Sequence, residues 1–289
     1  MSLFEDVPLH RGGPAATDPA AVAARRSARL LIGTSGYSFA DWVGPFYPQH
    51  TRPSDFLSYY ARHFDAVEIN ATYYRIPSIE VIARMERKTP PGFHFVVKLN
   101  QAMTHEGSQD ADLYRSFRAV LDPLKSAGKY DGLLAQFPWS FKRSPENERR
   151  LSQLREQLSG EPIFVEFRHD SWIREDLAHL LEKSRLGFCA VDEPDLEGLL
   201  PPLTLLTAED AYVRFHGRNA RNWWSSGEPS LGDRYDYDYR ADELREWVGK
   251  IRELADRARR TYLFFNNCHA GQAARSAKLM QEMLRQESA

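Results

Sequence analysis

Glu68 and Asn70, Lys98 and Asn100, Glu166 and Arg168, and Arg214 and His216 are polar residues spaced two apart, each in or just after an apolar run. Side chains two apart on a β-strand share a face. In a strand covered on both sides, an ionised group survives only when it is paired or hydrogen-bonded. The four pairs therefore predict one interior polar network of mixed charge. Glu68, Glu166 and His216 are the members able to take acid and base roles. Two carboxylates on opposed strands are the minimum for glycoside hydrolysis. Joined by Asp192, the same three offer oxygen and imidazole ligands to a divalent metal. Lys98, Arg168 and Arg214 weigh against a cation, because they neutralise the carboxylates within the same cavity. The competing reading is a salt-bridge plug that only fills the interior, at several kcal/mol of desolvation per ion.

The ends of the other apolar runs supply further candidates: Ser35 and Tyr37, Gln136, His169, Asp192, and Asn266 with Asn267. HGRNARNWW adds Arg218 and Arg221. NNCHAGQAA adds Gly271 at the start of a helical stretch, where backbone N–H groups favour negative charge. Together these predict an anion site. Tyr37, Phe39, Trp42, Tyr73, Tyr74, Trp139, Trp172, Trp223 and Trp224 belong to an aromatic rim, and Trp139 and Trp172 directly follow apolar runs, so they could stack on a sugar or base. No GxSxG, HExxH or Cys/His nucleophile pattern is present.

The elements that must hold these residues alternate along the chain. β-type runs occupy 29–35, 66–70, 93–99, 132–137, 162–167, 187–192, 211–217 and 261–267. Helical stretches separate most of them. One runs from Ser54 to Phe64. Another opens at Ser78 with Ile79, Ile82 and Met85 facing inward, and a third spans Ala111 to Lys125. Ser144-Pro145 reads as a capped helix start, and Gly187 as the left-handed residue after a helix. The Pro-rich segment after 192 makes a poor helix. Near-continuous apolar strands alternating with helices imply a parallel sheet, and eight of them close a barrel. The fold class is a single α/β (β/α)8 TIM barrel over 29–289, with a flexible tail over 1–28. An open doubly wound sheet is the rival, but no GxGxxG follows the first strand and no P-loop is present. In such barrels the working residues sit at the C-terminal strand ends.

The chain has 289 residues, 42% hydrophobic and 27% charged, with a formal net charge of −2. No global field draws it to nucleic acid or acidic membrane. Cys189 and Cys268 form no metal knuckle or disulfide framework, which fits reduced thiols in a cytoplasmic protein. No apolar stretch approaches the roughly 20 residues that span a bilayer, and no signal peptide opens the chain.

IGTSGYSFADWVGPFYP, VEINATYY, FHFVVKLNQAMTH, LLAQFPWSF, FVEFRHDSW, YVRFHGRN and YLFFNNCHAGQAA stand in order along the chain. They resemble the DUF72 (YecE-like) family from about Leu30 to the last helix. The resemblance implies a TIM barrel and candidate residues, but no reaction. Carried over by motif are Gly33, Ser35 and Gly36, Glu68, Asn70 and Tyr73, Lys98, Thr104 and His105, Gln136, Glu166, Arg168 and His169, Arg214, His216, Gly217 and Arg218, and Asn266 and Asn267. Tyr37 stands where the family usually has Trp. Arg240 stands where a helix-capping Ser is expected.

Three functions follow. The leading expectation is a hydrolase- or lyase-type enzyme acting on a phosphorylated or sugar-containing substrate. The second is a metal-dependent phosphodiesterase or nuclease acting on nucleic acid. The third is a non-catalytic nucleotide- or glycan-binding protein. No cofactor is implied beyond the conditional metal set of Glu68, Glu166, Asp192 and His216.

Overall fold

The computed structural model describes residues 30–224 and 233–286; the expected tail over 1–28 lies outside them. The strands are β1 (Leu30–Thr34), β2 (Ala66–Ile69), β3 (His94–Lys98), β4 (Tyr130–Gln136), β5 (Ile163–Glu166), β6 (Gly187–Asp192), β7 (Ala211–Phe215) and β8 (Thr261–Phe265). All pair in parallel in the order β1-β8-β7-β6-β5-β4-β3-β2. Each expected run carries a strand, and the result is a nearly closed TIM barrel.

The seam between β1 and β2 closes by other means than a regular ladder. Ser35 and Glu68 form a single bridge there, and the Gly36 N–H donates to the Glu68 carbonyl at 2.9 Å. Lower down, the buried Tyr60 hydroxyl stands between the strands. It accepts from the Thr34 N–H at 2.8 Å and donates to the Ala66 carbonyl at 3.0 Å. Gly33 makes room for this approach, because a Cβ there would lie 2.0 Å from the Ala66 carbonyl oxygen. Tyr60→Phe strips one partner from each of two buried backbone groups, and an unsatisfied buried group costs about 1–3 kcal/mol. Urea unfolding is expected to show a loss of that order; an unchanged midpoint would mean that the strands pair directly without the hydroxyl.

The α-helices are α1 (Phe56–Tyr60), α2 (Ala71–Tyr74), α3 (Ile79–Arg87), α4 (Gln101–Thr104), α5 (Ala111–Ala119), α6 (Asp122–Ser126), α7 (Pro145–Gln157), α8 (Leu177–Lys183), α9 (Ala241–Arg257) and α10 (Gln272–Gln286). Several differ from the expected elements. The stretch from Ser54 to Phe64 is helical only from Pro53 to Tyr60, its first turn being 3-10. The stretch from Ala111 to Lys125 is two helices, since Pro123 has no N–H to bond the Ala119 carbonyl. On α3, Ile82 is buried but Ile79 is 45% exposed, because it sits in the first turn at the open end. Arg185, with φ of 52°, takes the left-handed position assigned to Gly187. Gly187 is needed for another reason: a Cβ there would press on Phe164 at 2.7 Å.

Two caps follow the sequence chemistry. Ser144 Oγ accepts the Asn147 N–H at the start of α7. At α9, where Arg240 replaces a capping side chain, the Glu243 carboxylate accepts the Arg240 N–H at 2.8 Å. No helix among the described residues is long and apolar enough to cross a membrane.

Candidate active site at the barrel mouth

Residues 164 and 166 on β5 with 168 just beyond it, and 212 and 214 on β7 with 216 just beyond it, alternate into the barrel interior. There they meet Glu68 from β2. Arg214 is the centre of the network. It donates to Glu68 Oε1 at 2.7 Å, to Glu166 Oε2 at 2.5 Å and to Ser35 Oγ at 3.2 Å. Tyr212 donates to the other oxygen of Glu68 at 2.6 Å. Arg168 donates its Nε–H to Glu166 Oε1 at 2.5 Å, and its Nη1 lies 3.4 Å from Glu193. Glu68, Glu166 and His216 have no exposed surface. Charge balance is thus achieved inside the barrel, as ions taken out of water require.

Burial and charge set the protonation states. Burial alone would raise Glu166, but Arg168 and Arg214 outweigh it and hold it well below the usual carboxylate range. Burial pushes His216 down to about 3, helped by Arg168 and opposed by Glu166. The Asn266 amide nitrogen faces His216 Nδ1 at 3.1 Å, which leaves the neutral ring's proton on Nε2, 3.3 Å from Glu166. Glu193 is raised to about 7 by burial, with Arg168 pulling the other way.

Above this network a cavity of about 760 Å³ opens at the C-terminal strand ends. Apart from the tryptophan rim, it is lined by the expected Ser35, Asn70, Tyr73, Lys98, His105, Gln136, Arg168 and Asn266. Lys98, the last residue of β3, donates to Gln136 Oε1 at 2.8 Å and lies 4.4 Å from the Tyr73 ring centre. No carboxylate is within ion-pair distance of Lys98 among the described residues. Burial, with the Arg214 charge next, lowers its pKa to about 7 against the pull of Glu166 and Glu68. His105 is lowered to about 4 by burial and then by Lys98 and Arg168. The buried Asn70 Oδ1 has no hydrogen-bond partner among the described residues.

The remaining expected polar residues do not face the cavity. Asp192 turns outward, where Arg218, Tyr239 and Trp247 Nε1 hold its carboxylate. The physical reason is parity: Cys189 approaches Glu166 at 3.9 Å inside the barrel, so 189, 191 and 193 share the interior side and 192 does not. The interior acid of this strand end is Glu193, which strict two-residue counting from Cys189 would have found. The proposed metal set of Glu68, Glu166, Asp192 and His216 is therefore not brought together. Arg214 also occupies the carboxylates it would need, and no group of three or more potential ligands forms among the described residues.

The expected anion site is replaced by internal pairs. Arg218 is bound to Asp192 at 2.7 Å and Glu246 at 2.8 Å, and Arg221 is exposed. At the Gly271 turn the Ala270 N–H donates to the Asp41 carboxylate at 2.6 Å, so the chain's own anion takes that position. Asn267 faces outward and donates to Tyr237 and to Ser276 on α10. His169 caps a 3-10 turn by accepting the Ser171 N–H, and Tyr37 packs against the core beside Tyr60. Trp172 is wholly buried, stacked on Phe167 and Phe141, and reaches no ligand. Trp139 does stand at the rim, 39% exposed, edge-on to Trp224. Trp223 of the expected rim also lines the cavity, and with it the unexpected Arg234, Tyr235 and Cys268. They come from loops after β7 and β8, whose path no periodicity describes. Both cysteines are free thiols.

Comparison with known proteins agrees with this architecture. A family model described as "Protein of unknown function DUF72" matches residues 31–289. The UPF0759 protein YunF of Bacillus subtilis is 30% identical over 269 residues, 88% of this chain and 94% of that protein. A crystal structure of a DUF72 family protein from Thermotoga maritima superposes with a TM-score of 0.82 at 42% identity, covering 89% of this chain and 99% of that one. A DUF72 family protein from Enterococcus faecalis gives a TM-score of 0.80 at 25% identity, over 89% and 95% of the two chains. Barrel, seam and strand-end residues, together with a family match over nearly all the described chain, place this protein in the DUF72 family.

Proposed function

We propose that the chain is an enzyme of the lyase or hydrolase type, acting on a small, anionic, sugar-containing molecule in the barrel-mouth cavity, with Lys98 as its proton-transferring group. The observation that carries this reading is the position of Lys98. It stands on the cavity floor, without a carboxylate partner among the described residues, beside the cations Arg168 and Arg214. An amine with a pKa near 7 holds both protonation states at neutral pH, which suits acid–base work. In this reading Glu68 and Glu166 serve it from beneath by balancing the arginines; both are sealed from the cavity, so the acid–base role is given to Lys98 instead. Arg168 lines the cavity with its Nε held by Glu166 and is the cation placed to receive an anionic group. Tyr73, Trp223 and Tyr235 offer aromatic faces to a sugar ring.

The test is calorimetric titration with a panel of sugar phosphates and sugar acids, on wild type, Arg168→Lys and Lys98→Met. Arg168→Lys keeps the charge opposite Glu166 but loses the planar fork. The expected result is a ligand bound at least about tenfold more weakly by Arg168→Lys, a cost of roughly 1.4 kcal/mol. Its conversion should stop in Lys98→Met. A panel with no binder, or one bound equally by Arg168→Lys, overturns the reading.

A further inference from the structure

Deepening that reading, on which it rests, we infer that the Lys98 amine is a nucleophile that condenses with the carbonyl carbon of an open-chain aldose or ketose derivative bearing an anionic group.

The cavity presents Lys98 differently from the protein's other buried lysine. Lys129 is wrapped by the Glu86 carboxylate at 2.8 Å, the Glu86 and Thr89 carbonyls and the Thr89 hydroxyl. Its ammonium is held by four acceptors and does not line the barrel-mouth cavity. Among the described residues, Lys98 has one amide oxygen and one aromatic face as its partners. The carboxylates that would have held it charged are already engaged: Glu68 by Arg214 and Tyr212, and Glu166 by Arg168 and Arg214. A desolvated lysine beside other cations is the arrangement that frees an amine lone pair near neutrality. The groups facing it are Glu68 from β2, Tyr73 from α2, His105 after α4, Gln136 from β4, Glu166 and Arg168 from β5 and its end, and Arg214 from β7. The net of burial and these charges favours the neutral amine above about pH 7.

The step balances without an outside oxidant or reductant. The Nζ lone pair forms a bond to the carbonyl carbon while the carbonyl π pair moves to oxygen. A proton passes from nitrogen to that oxygen to give a carbinolamine. The hydroxyl then leaves with a second nitrogen-derived proton as one water, and the C=N bond forms. The products are an imine on Lys98 and water. Arg168 fixes the anionic end of the substrate, and the hydroxyl-bearing carbons lie along the aromatic wall.

The experiment is reductive trapping. The full chain is incubated with dihydroxyacetone phosphate, glyceraldehyde 3-phosphate or glyoxylate and sodium cyanoborohydride between pH 5.5 and 8.5, and the adduct is located by peptide mass spectrometry. Lys98 is expected to label at least about tenfold faster than any solvent-exposed lysine, with a rate that rises through about pH 7. Lys98→Arg, checked for folding by circular dichroism, should lose that adduct while its surface lysines label as before. Absence of a preferred Lys98 adduct with all three carbonyls overturns the inference, as does undiminished fast labelling in Lys98→Arg. The titrations above separate the two proposals: a probe that binds through Arg168 but never labels Lys98 removes the nucleophile and leaves the proton-transfer reading standing. Absence of both removes both.

Discussion

Arg214→Ala is expected to lose about 3–5 kcal/mol of stability, the usual cost of breaking a buried ion pair from one side. Arg214 has 1% of its surface exposed and bridges two carboxylates with none exposed. Its removal leaves Glu68 with the Tyr212 hydroxyl, and Glu166 with Arg168 and His216 at one oxygen and only the weak Cys189 thiol donor at the other. Domain stabilities are commonly about 5–15 kcal/mol, so the variant should melt many degrees lower or fold poorly at 37 °C. A compensated variant distinguishes loss of the pair from loss of volume. Arg214→Met combined with Glu68→Gln removes one charge of each sign at similar size and leaves Glu166 paired with Arg168, and buried ion pairs replaced in this way are often neutral. Urea midpoints should show the double variant recovering most of the loss. If the single variant loses under about 1 kcal/mol, the network is not what balances the interior. If the double variant is as unstable as the single one, packing around the guanidinium carries the effect. Glu166→Gln, which leaves Arg168 and Arg214 facing a neutral group, should likewise cost stability.

Acidification is the second large effect. In the native state His216 stays neutral down to about 3, against an ordinary value of 6.5. Between those values the unfolded chain binds a proton that the folded chain refuses. Stability is therefore fully present above about 6.5 and falls as the pH drops, by about 1.4 kcal/mol per pH unit per proton. His105, lowered to about 4, acts in the same direction. Glu193, raised to about 7 from 4.5, opposes them, because between those values the native state holds the extra proton. Below about 4.5 that opposition ends, and Glu166, held low by Arg168 and Arg214, adds to the loss. The expected profile is a modest decline from pH 6.5 to 4.5 that then steepens. His216→Gln should flatten the profile by about one proton's slope, roughly 3 kcal/mol less loss between pH 6.5 and 4. Urea midpoints at half-unit pH intervals measure it. Parallel slopes in wild type and variant would show that His216 is protonated in the folded protein.

Much of this arrangement can be traced to residue order. Glu166 and Arg168 meet because two-residue spacing on a strand fixes a common face. Arg214 and His216 enter the same interior for the same reason, and Lys98 reaches the mouth as the last residue of its strand. Apolar runs of strand length between helical stretches leave few ways to cover both faces, so the barrel follows from the pattern itself.

Where parity had to be counted across an uncertain strand end, the count slipped. Asp192 and Glu193 differ by one position, and one position exchanges the barrel interior for the outer face. Partners remote in sequence were not legible at all. Arg218 is claimed by Asp192 and Glu246, and the N–H before Gly271 by Asp41, so an anion site written in local composition is filled by the chain's own carboxylates. Trp172 follows a strand just as Trp139 does, yet it is stacked beneath Phe167 and Phe141 while Trp139 stays at the rim. The sequence by itself determined the elements, their parallel barrel and the face of each regular strand, because these depend on periodicity and local chemistry. Tertiary structure alone decided which charges meet, which aromatic rings reach solvent, and that Lys98 rather than the carboxylates faces the cavity. Those outcomes depend on which distant group first satisfies a buried charge, and no local spacing encodes that competition.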